Sequence, residues 1–511
     1  MTLVGLGGLI SACPAPTATD AGVDAGDTDA GSDAGLVDAG PPPVDYRWQA
    51  PDASVPAELA GNYWKQHWVT DLAPYWTMPE ALGTPAGNYP TYRTMRGLPG
   101  SNTDRYPRML GRQIYTYCMG YALTGDETLL ERARVGVEWL RTKAKDPRGG
   151  YFSRLDAAGN GVGTEPKWSQ DLSYVMLGYA AWWFVTRDPV AEAELLAGRD
   201  LLFDPATYWD ATNHRIRDGV TPDLSAEADM SNDNGGWELV AQLDPVNAFL
   251  GLTQPTLSSP ARRAQVLDDL RTLGQTMLTN FRDEETGIFW GSTTQKRYSG
   301  WHVDWGHTLK TYWMLLQIDK KLPDHPFQHV VLTGAPPLLD RAFDTPWGRW
   351  GKAPTSPTEA QFGTDWWIAA ELDQLTATMN LFDRAHQDRL AASARNWKSD
   401  WVDYRVGELV SSVRRDGSWA YSWQDGDTGK CNEWKNGFHS TEHALVLYLA
   451  GRDLEGLPAE LHFAVPASDT DSFIATPYVF SGEVLRRDVL GDVTLGTRAL
   501  KKVKVSFQHL Y

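Results

Sequence analysis

Cysteine is scarce. The 511 residues hold three, Cys13, Cys118 and Cys431, too few for a disulfide framework and with no C-x-x-C pair to suggest a zinc site. Positive charge is short too. Lys and Arg total 47 against 65 Asp and Glu, a formal net charge of −18. That balance argues against a nucleic-acid binder, which needs a basic face, and against electrostatic docking on anionic headgroups. The chain also lacks an alternation of strand and helix patterns, so no parallel sheet is expected. What it has in quantity is tryptophan. There are 23, in a sequence that is 42% hydrophobic and 11% aromatic, enough apolar material to bury a large core and exclude global disorder. An indole has an apolar face and one N–H, which suits cores and also sites that grip flat polar ligands.

The apolar run at residues 2–12 is too short to cross a bilayer and has the form of a signal-peptide core. It leads into Ile10-Ser11-Ala12-Cys13, which resembles a bacterial lipobox. Residues 1–13 are therefore read as a signal, with Cys13 as the lipidation site. Residues 14–46 follow with five Asp-Ala-Gly triplets and Pro41-Pro42-Pro43, and from Asp20 to Asp45 there are seven Asp and no basic residue. A segment with so little to bury is expected to be a disordered, charge-extended linker. Signal, Cys and linker describe an extracytoplasmic domain, held to a membrane only through an N-terminal lipid.

From about 55 the pattern turns helical. Segments such as Arg105–Thr124, Trp168–Thr186, Asp304–Lys321 and His439–Ala450 space apolar residues by three and four. Three of the connections recur in phase. An aromatic hairpin with a Gly turn (Tyr151, Phe289 or Trp419) is followed 19, 18 or 20 residues later by a polar residue entering a helix (Gln170, His307 or His439). In a closed ring of helical hairpins, equivalent points face a common centre, so the repeat predicts one pocket lined by hairpin aromatics and helix starts. The ring is assigned to 47–454. Beyond it, 455–511 shows short β-type alternations, as at Thr476–Phe480 and Val503–Phe507, and is expected to form a small β-rich appendage.

Five segments, in order over about 105–451, carry a family resemblance. They are Arg112-Gln-Ile-Tyr115, Gly149-Gly-Tyr-Phe152 through Lys167, Gly306-His307-Thr-Leu-Lys310-Thr-Tyr-Trp313, Trp366-Trp367-Ile-Ala-Ala-Glu371, and Lys435-Asn-Gly-Phe438-His439. They resemble the N-acylglucosamine 2-epimerase and cellobiose 2-epimerase family. The resemblance implies an all-α fold, an (α/α)6 barrel with the β-rich appendage added. It also implies sugar chemistry without a cofactor, in which two histidines, here His307 and His439, move a proton beside a carbonyl. The chain departs from the family where the central His-x-His helix is expected. Gln242 and Asp244 stand in place of its histidines, Asn247 in place of its Glu, and Lys310 in place of the Glu after Gly-His. A lysine there would depress histidine basicity by like-charge repulsion, which points to an altered substrate or reaction.

Imidazole titrates near neutrality, so His307 and His439 suit a general acid–base pair. Arg112 offers a planar fork to a substrate oxygen. Trp168, Trp290, Trp366 and Trp367 could wall a sugar site, Gln170, Gln242 and Asp244 could bind hydroxyls, and Glu371 could orient a hydroxyl or a histidine. Tyr298 could donate a proton in a lyase, and Asn232, Asn234 and Glu238 could neutralise a uronate. His443, one turn past His439, lacks the Glu of a zincin pattern, so no metal is expected. The main reading is a sugar 2-epimerase or aldose–ketose isomerase, monomeric or weakly dimeric. The alternatives are a uronate polysaccharide lyase acting by β-elimination and a non-catalytic glycan binder.

Overall fold

A first-position proline or a short polar cap opens five of the long helices. In the computed structural model, which describes residues 46, 55–228, 236–421 and 426–511, twelve helices among the described residues build a ring. They are α1 (Gly61–His67), α2 (Pro107–Thr124), α3 (Glu127–Lys143), α4 (Ser169–Thr186), α5 (Pro189–Leu202), α6 (Leu239–Pro245), α7 (Pro260–Phe281), α8 (Trp305–Asp319), α9 (Gln328–Ala342), α10 (Trp366–Met379), α11 (Gln387–Asn396) and α12 (Phe438–Leu454). Pro107, Pro189 and Pro260 take the first position of their helices, and the side chains of Asp126, Asp188, Ser259 and Asp304 accept N-terminal amides. Pro245 ends the regular part of α6, and a wider helical turn follows at Val246–Leu250. Proline removes an N–H from the ladder, and the chain relaxes into that wider turn. Cys13, residues 14–45 of the linker, Asn232, Asn234 and Trp423 lie outside the described residues; Tyr46, assigned to the linker, is instead buried, its hydroxyl donating to Asp319 Oδ2 at 3.1 Å.

The even-numbered helices form the inner ring, each packed on the next, with α12 closing back onto α2. This is the (α/α)6 architecture. Inner helices meet neighbours on every side, so they are apolar nearly all round. The exceptions locate the site: α4 is buried at every position but Gln170, α8 at every position but His307, and α10 at every position but Trp367. The odd-numbered helices cover the outside. The three recurrent hairpins are present as short antiparallel bridges at Tyr151, Phe289 and Trp419.

The C-terminal strands β1 (Ala459–Val465), β2 (Glu483–Leu495) and β3 (Arg498–Gln508) form an antiparallel sheet in the order β1-β3-β2. Leu461 pairs with Val505 and Phe463 with Val503, and these side chains are buried. β1 lies against α2 and α4. Thr476–Phe480, expected as a strand, is a turn, with Tyr478 at φ 62. That left-handed residue breaks the extended path and drives the phenol into the core. There its hydroxyl donates to Glu442 Oε1 at 2.5 Å and accepts from Tyr115 at 3.0 Å.

Candidate active site

The starts of α4, α8, α10 and α12 converge on a cavity of about 430 Å³. Its wall includes Gln170, Asp244, His307, Lys310, Trp366 and His439, with Arg112 and Tyr174 beside them. At the mouth stand Trp301, Tyr421 and Trp434, 62%, 39% and 55% exposed. Large aromatics left in solvent around a polar cavity are suited to stack on the faces of sugar rings. The helix starts aim the positive ends of their dipoles inward, an arrangement that stabilises negative charge on a bound ligand.

His307 is the third residue of α8 and is held by the residue that caps that helix. Asp304 accepts the His307 backbone N–H on Oδ1 and contacts the ring Nδ1 through Oδ2, both at 2.7 Å. One carboxylate therefore starts the helix and fixes the imidazole, leaving Nε2 as the other working nitrogen. The ring lies 4.7 Å from that of Trp367, edge to face. Gly306 makes this possible: a Cβ there would stand 2.3 Å from the Trp367 ring. The Gly in Gly-His is thus a packing requirement between α8 and α10.

His439, second in α12, lies between Trp366 and Trp367. Glu371 Oε1 is 3.4 Å from its Nδ1. Burial pushes the His439 imidazolium down to about 4, against the pull of Glu371, so at neutral pH the ring is a neutral base. Lys310 lies one turn below His307, its Nζ 3.3 Å from Asp244 Oδ1 and 3.5 Å from Glu371 Oε1. Burial works to raise the pKa of both carboxylates, but the Lys310 ammonium holds them below their ordinary range. Burial opposes the ammonium as well, yet Tyr174 and the two carboxylates raise it. The Lys310 charge does lower the basicity of His439, as expected; it also neutralises two buried carboxylates, while Asp304 serves His307. Gln170 and Tyr174 complete the shell of Asp244, donating at 2.7 and 3.1 Å. Glu442, one turn beyond His439, is held well above the usual carboxylate range by burial and by the charge of Glu371.

Not every expected residue reaches the cavity. Gln242 and Asp244, two apart, point about 200° apart on a helix. Asp244 faces in, while Gln242 faces out and clamps Ile216, accepting from its N–H at 2.9 Å and donating to its carbonyl at 2.8 Å. Trp168 packs against Gly219 at the edge of α4. Tyr298 meets Trp290 edge to face, ring centroids 5.5 Å apart, and is not part of the cavity wall. Glu371 stands behind His439, fully buried. Arg112 lines the cavity, with its guanidinium 3.7 Å over the Tyr174 ring and Nη1 donating to the Trp434 carbonyl at 3.0 Å. His443 turns into the core against Asp373 and Trp397. Glu371, His439 and Glu442 bring ligand atoms within 4.8 Å of one another, but Lys310 already supplies the positive charge there. Sequence reasoning missed Asp304, Trp301, His302 and Trp434. Only Asp304 left a signal, an N-cap Asp three residues before a histidine.

The N-acylglucosamine 2-epimerase (GlcNAc 2-epimerase) family model matches residues 93–445. Among solved structures, a D-mannose isomerase is 16% identical with a TM-score of 0.64, the match covering 77% of this chain and 99% of that one. The cellobiose 2-epimerase of Bacillus thermoamylovorans B4167 is 14% identical with a TM-score of 0.64, covering 77% and 99%. That of Spirochaeta thermophila DSM 6192 is 18% identical with a TM-score of 0.65, covering 76% and 96%. At these identities the likeness is one of fold. None of the curated proteins matches the chain in sequence.

Proposed function

The chain belongs to the N-acylglucosamine 2-epimerase family, and from that premise we propose that it is a sugar 2-epimerase or aldose–ketose isomerase in which His307 and His439 carry the proton. The observation that supports this most is their placement. Two imidazoles from different inner helices line one cavity, each beside a carboxylate, Asp304 or Glu371. One ring takes the proton from the carbon beside the carbonyl of an open-chain sugar. The other returns it, to the opposite face for epimerisation or to the next carbon for isomerisation. The inward helix dipoles favour the negative charge that develops between the two steps, and the free arm of Arg112 holds a neighbouring sugar oxygen. A cavity of about 430 Å³ lies within the range of small-ligand sites and suits a mono- or disaccharide.

The test is deuterium incorporation at C2 when the protein is incubated in deuterium oxide with D-mannose, D-glucose or cellobiose. Exchange by the wild type and its loss in a His307→Ala/His439→Ala double variant support the assignment. Full turnover by that variant refutes it. The lipobox-like Cys13 and the acidic linker support export and lipid anchoring as part of the same proposal. A Cys13→Ser variant should lose its lipid by mass and leave the membrane fraction.

A further inference from the structure

The cavity holds a third imidazole that the proton-transfer pair does not use. His302 lines the same wall as His307 and His439, on the irregular connection that ends at Asp304. Its ring lies 4.6 Å from that of His307, at 66°. The backbone is arranged to put it there. His302 has φ 56, a left-handed conformation that a residue with a Cβ adopts only at a steric cost. The preceding carbonyl is pressed onto Gly291, where a Cβ would stand 1.8 Å from Trp301 O and 2.7 Å from His302 Cβ. That tight turn sends Trp301 out to the mouth of the cavity and His302 inward. Strain of this kind persists only where surrounding contacts hold it, and it concentrates at functional sites.

We propose that His302 is a further catalytic residue, a neutral hydrogen-bond donor to the substrate oxygen that gains charge as the neighbouring carbon loses its proton. The inference rests on the proton-transfer reading of the cavity. When a base takes the proton beside a carbonyl, the electron pair forms a carbon–carbon double bond and negative charge moves onto the carbonyl oxygen. Something must meet that oxygen. Lys310 is committed to Asp244 and Glu371, one arm of Arg112 is on Trp434, and His307 and His439 are occupied with the carbon-bound proton. A neutral imidazole offers one N–H and one lone pair. It can stabilise the oxygen without placing a second positive charge against His307 when that ring is protonated. Burial, with repulsion from His307, pushes the His302 imidazolium down to about 3, against the nearby carboxylates Asp304 and Asp244. The ring is therefore neutral throughout the range in which the pair can work. No proton leaves His302 in this scheme: His307 and His439 carry the carbon-bound proton, and in isomerisation the hydroxyl proton passes between the sugar's own two adjacent oxygens.

Two variants separate catalysis from support. His302→Leu keeps the bulk and removes the donor, and His302→Gln keeps an N–H. Both are assayed in the full chain for C2 exchange and product formation with D-mannose, D-glucose and cellobiose, beside their melting temperatures. The expected result is a loss of about 100-fold in kcat for the Leu variant, the scale of one lost oxyanion donor, with KM changed by less than about threefold. The Gln variant should recover at least about tenfold of that loss. A Leu variant within about twofold of wild-type kcat overturns the inference. So does an equal loss in Leu and Gln that follows their melting temperatures, since that is the mark of a structural role. The underlying function fails in a different way: the wild type exchanges none of the three sugars, or the His307→Ala/His439→Ala variant retains turnover.

Discussion

Replacing Asp304 by Asn separates the two tasks this residue performs. The carboxylate caps α8 through Oδ1 and holds the His307 ring through Oδ2. Asn is as good an N-cap as Asp, so the helix should start as before and the melting temperature should barely move. The ring loses a charged partner. A hydrogen bond to a charged group is worth about 1.5–3 kcal/mol and a neutral one about 1 kcal/mol. The exchange therefore removes about 0.5–2 kcal/mol of the stabilisation that the imidazolium gains as it forms. At 1.36 kcal/mol per decade this is about 2- to 30-fold in kcat. If the amide presents its nitrogen to Nδ1, the ring tautomer inverts and the loss is larger. Asp304→Ala removes the cap as well and should cost about 1 kcal/mol of stability in addition. The assay is the rate of deuterium incorporation at C2 at saturating sugar, beside urea denaturation of all three proteins. An Asn variant with wild-type kcat would refute the claim that Asp304 serves His307. An Asn variant as unstable as the Ala variant would refute the separation of the two tasks.

Further outcomes follow from the same packing. Lys310→Met leaves Asp244 and Glu371 buried without their cation and should destabilise by about 3–5 kcal/mol, read as a lower urea midpoint. Glu442 has a folded pKa above its unfolded value. The stability it contributes is complete below the ordinary carboxylate value and is lost as pH rises through the raised one. A neutral Glu442→Gln variant should therefore gain in melting temperature over wild type on going from about pH 5 to about pH 9, and an unchanging difference would count against the buried charge. Gly306→Ala forces a methyl into the Trp367 ring. It should cost about 1–3 kcal/mol by overpacking and reduce activity, and a crystal structure showing Trp367 unmoved would contradict this.

Much of the ring was legible because its signals are local. Helical spacing, Pro and Asp starts, and the aromatic recurrences at Tyr151, Phe289 and Trp419 each need only a short window of sequence. The polar helix starts Gln170 and His307 could also be read, since a single polar residue opening an otherwise apolar helix has few other uses. What could not be read lies where no period exists. Between Gly291 and Asp304 the choice between Tyr298 and His302 as the inward residue depends on one left-handed φ and one close backbone approach. Gln242 was misplaced for a reason available in the sequence: residues two apart on a helix cannot share a face. The role of Lys310 depends on which carboxylates lie across the ring, and that is long-range information.

The phenol of Tyr478 has a consequence for when this protein can work. Its donation to Glu442 is made from the C-terminal segment, after the last helix of the ring. A chain delivered from its N-terminus, from a ribosome or across a membrane, tends to fold its earlier part first. It could therefore assemble all six hairpins and bring His307 and His439 to one cavity while Glu442, one turn from His439, had Gln374 beside it but still lacked the Tyr478 phenol. The surroundings of α12 are completed only when this later segment docks. Assembly of the ring and completion of the core beside His439 are therefore separate events.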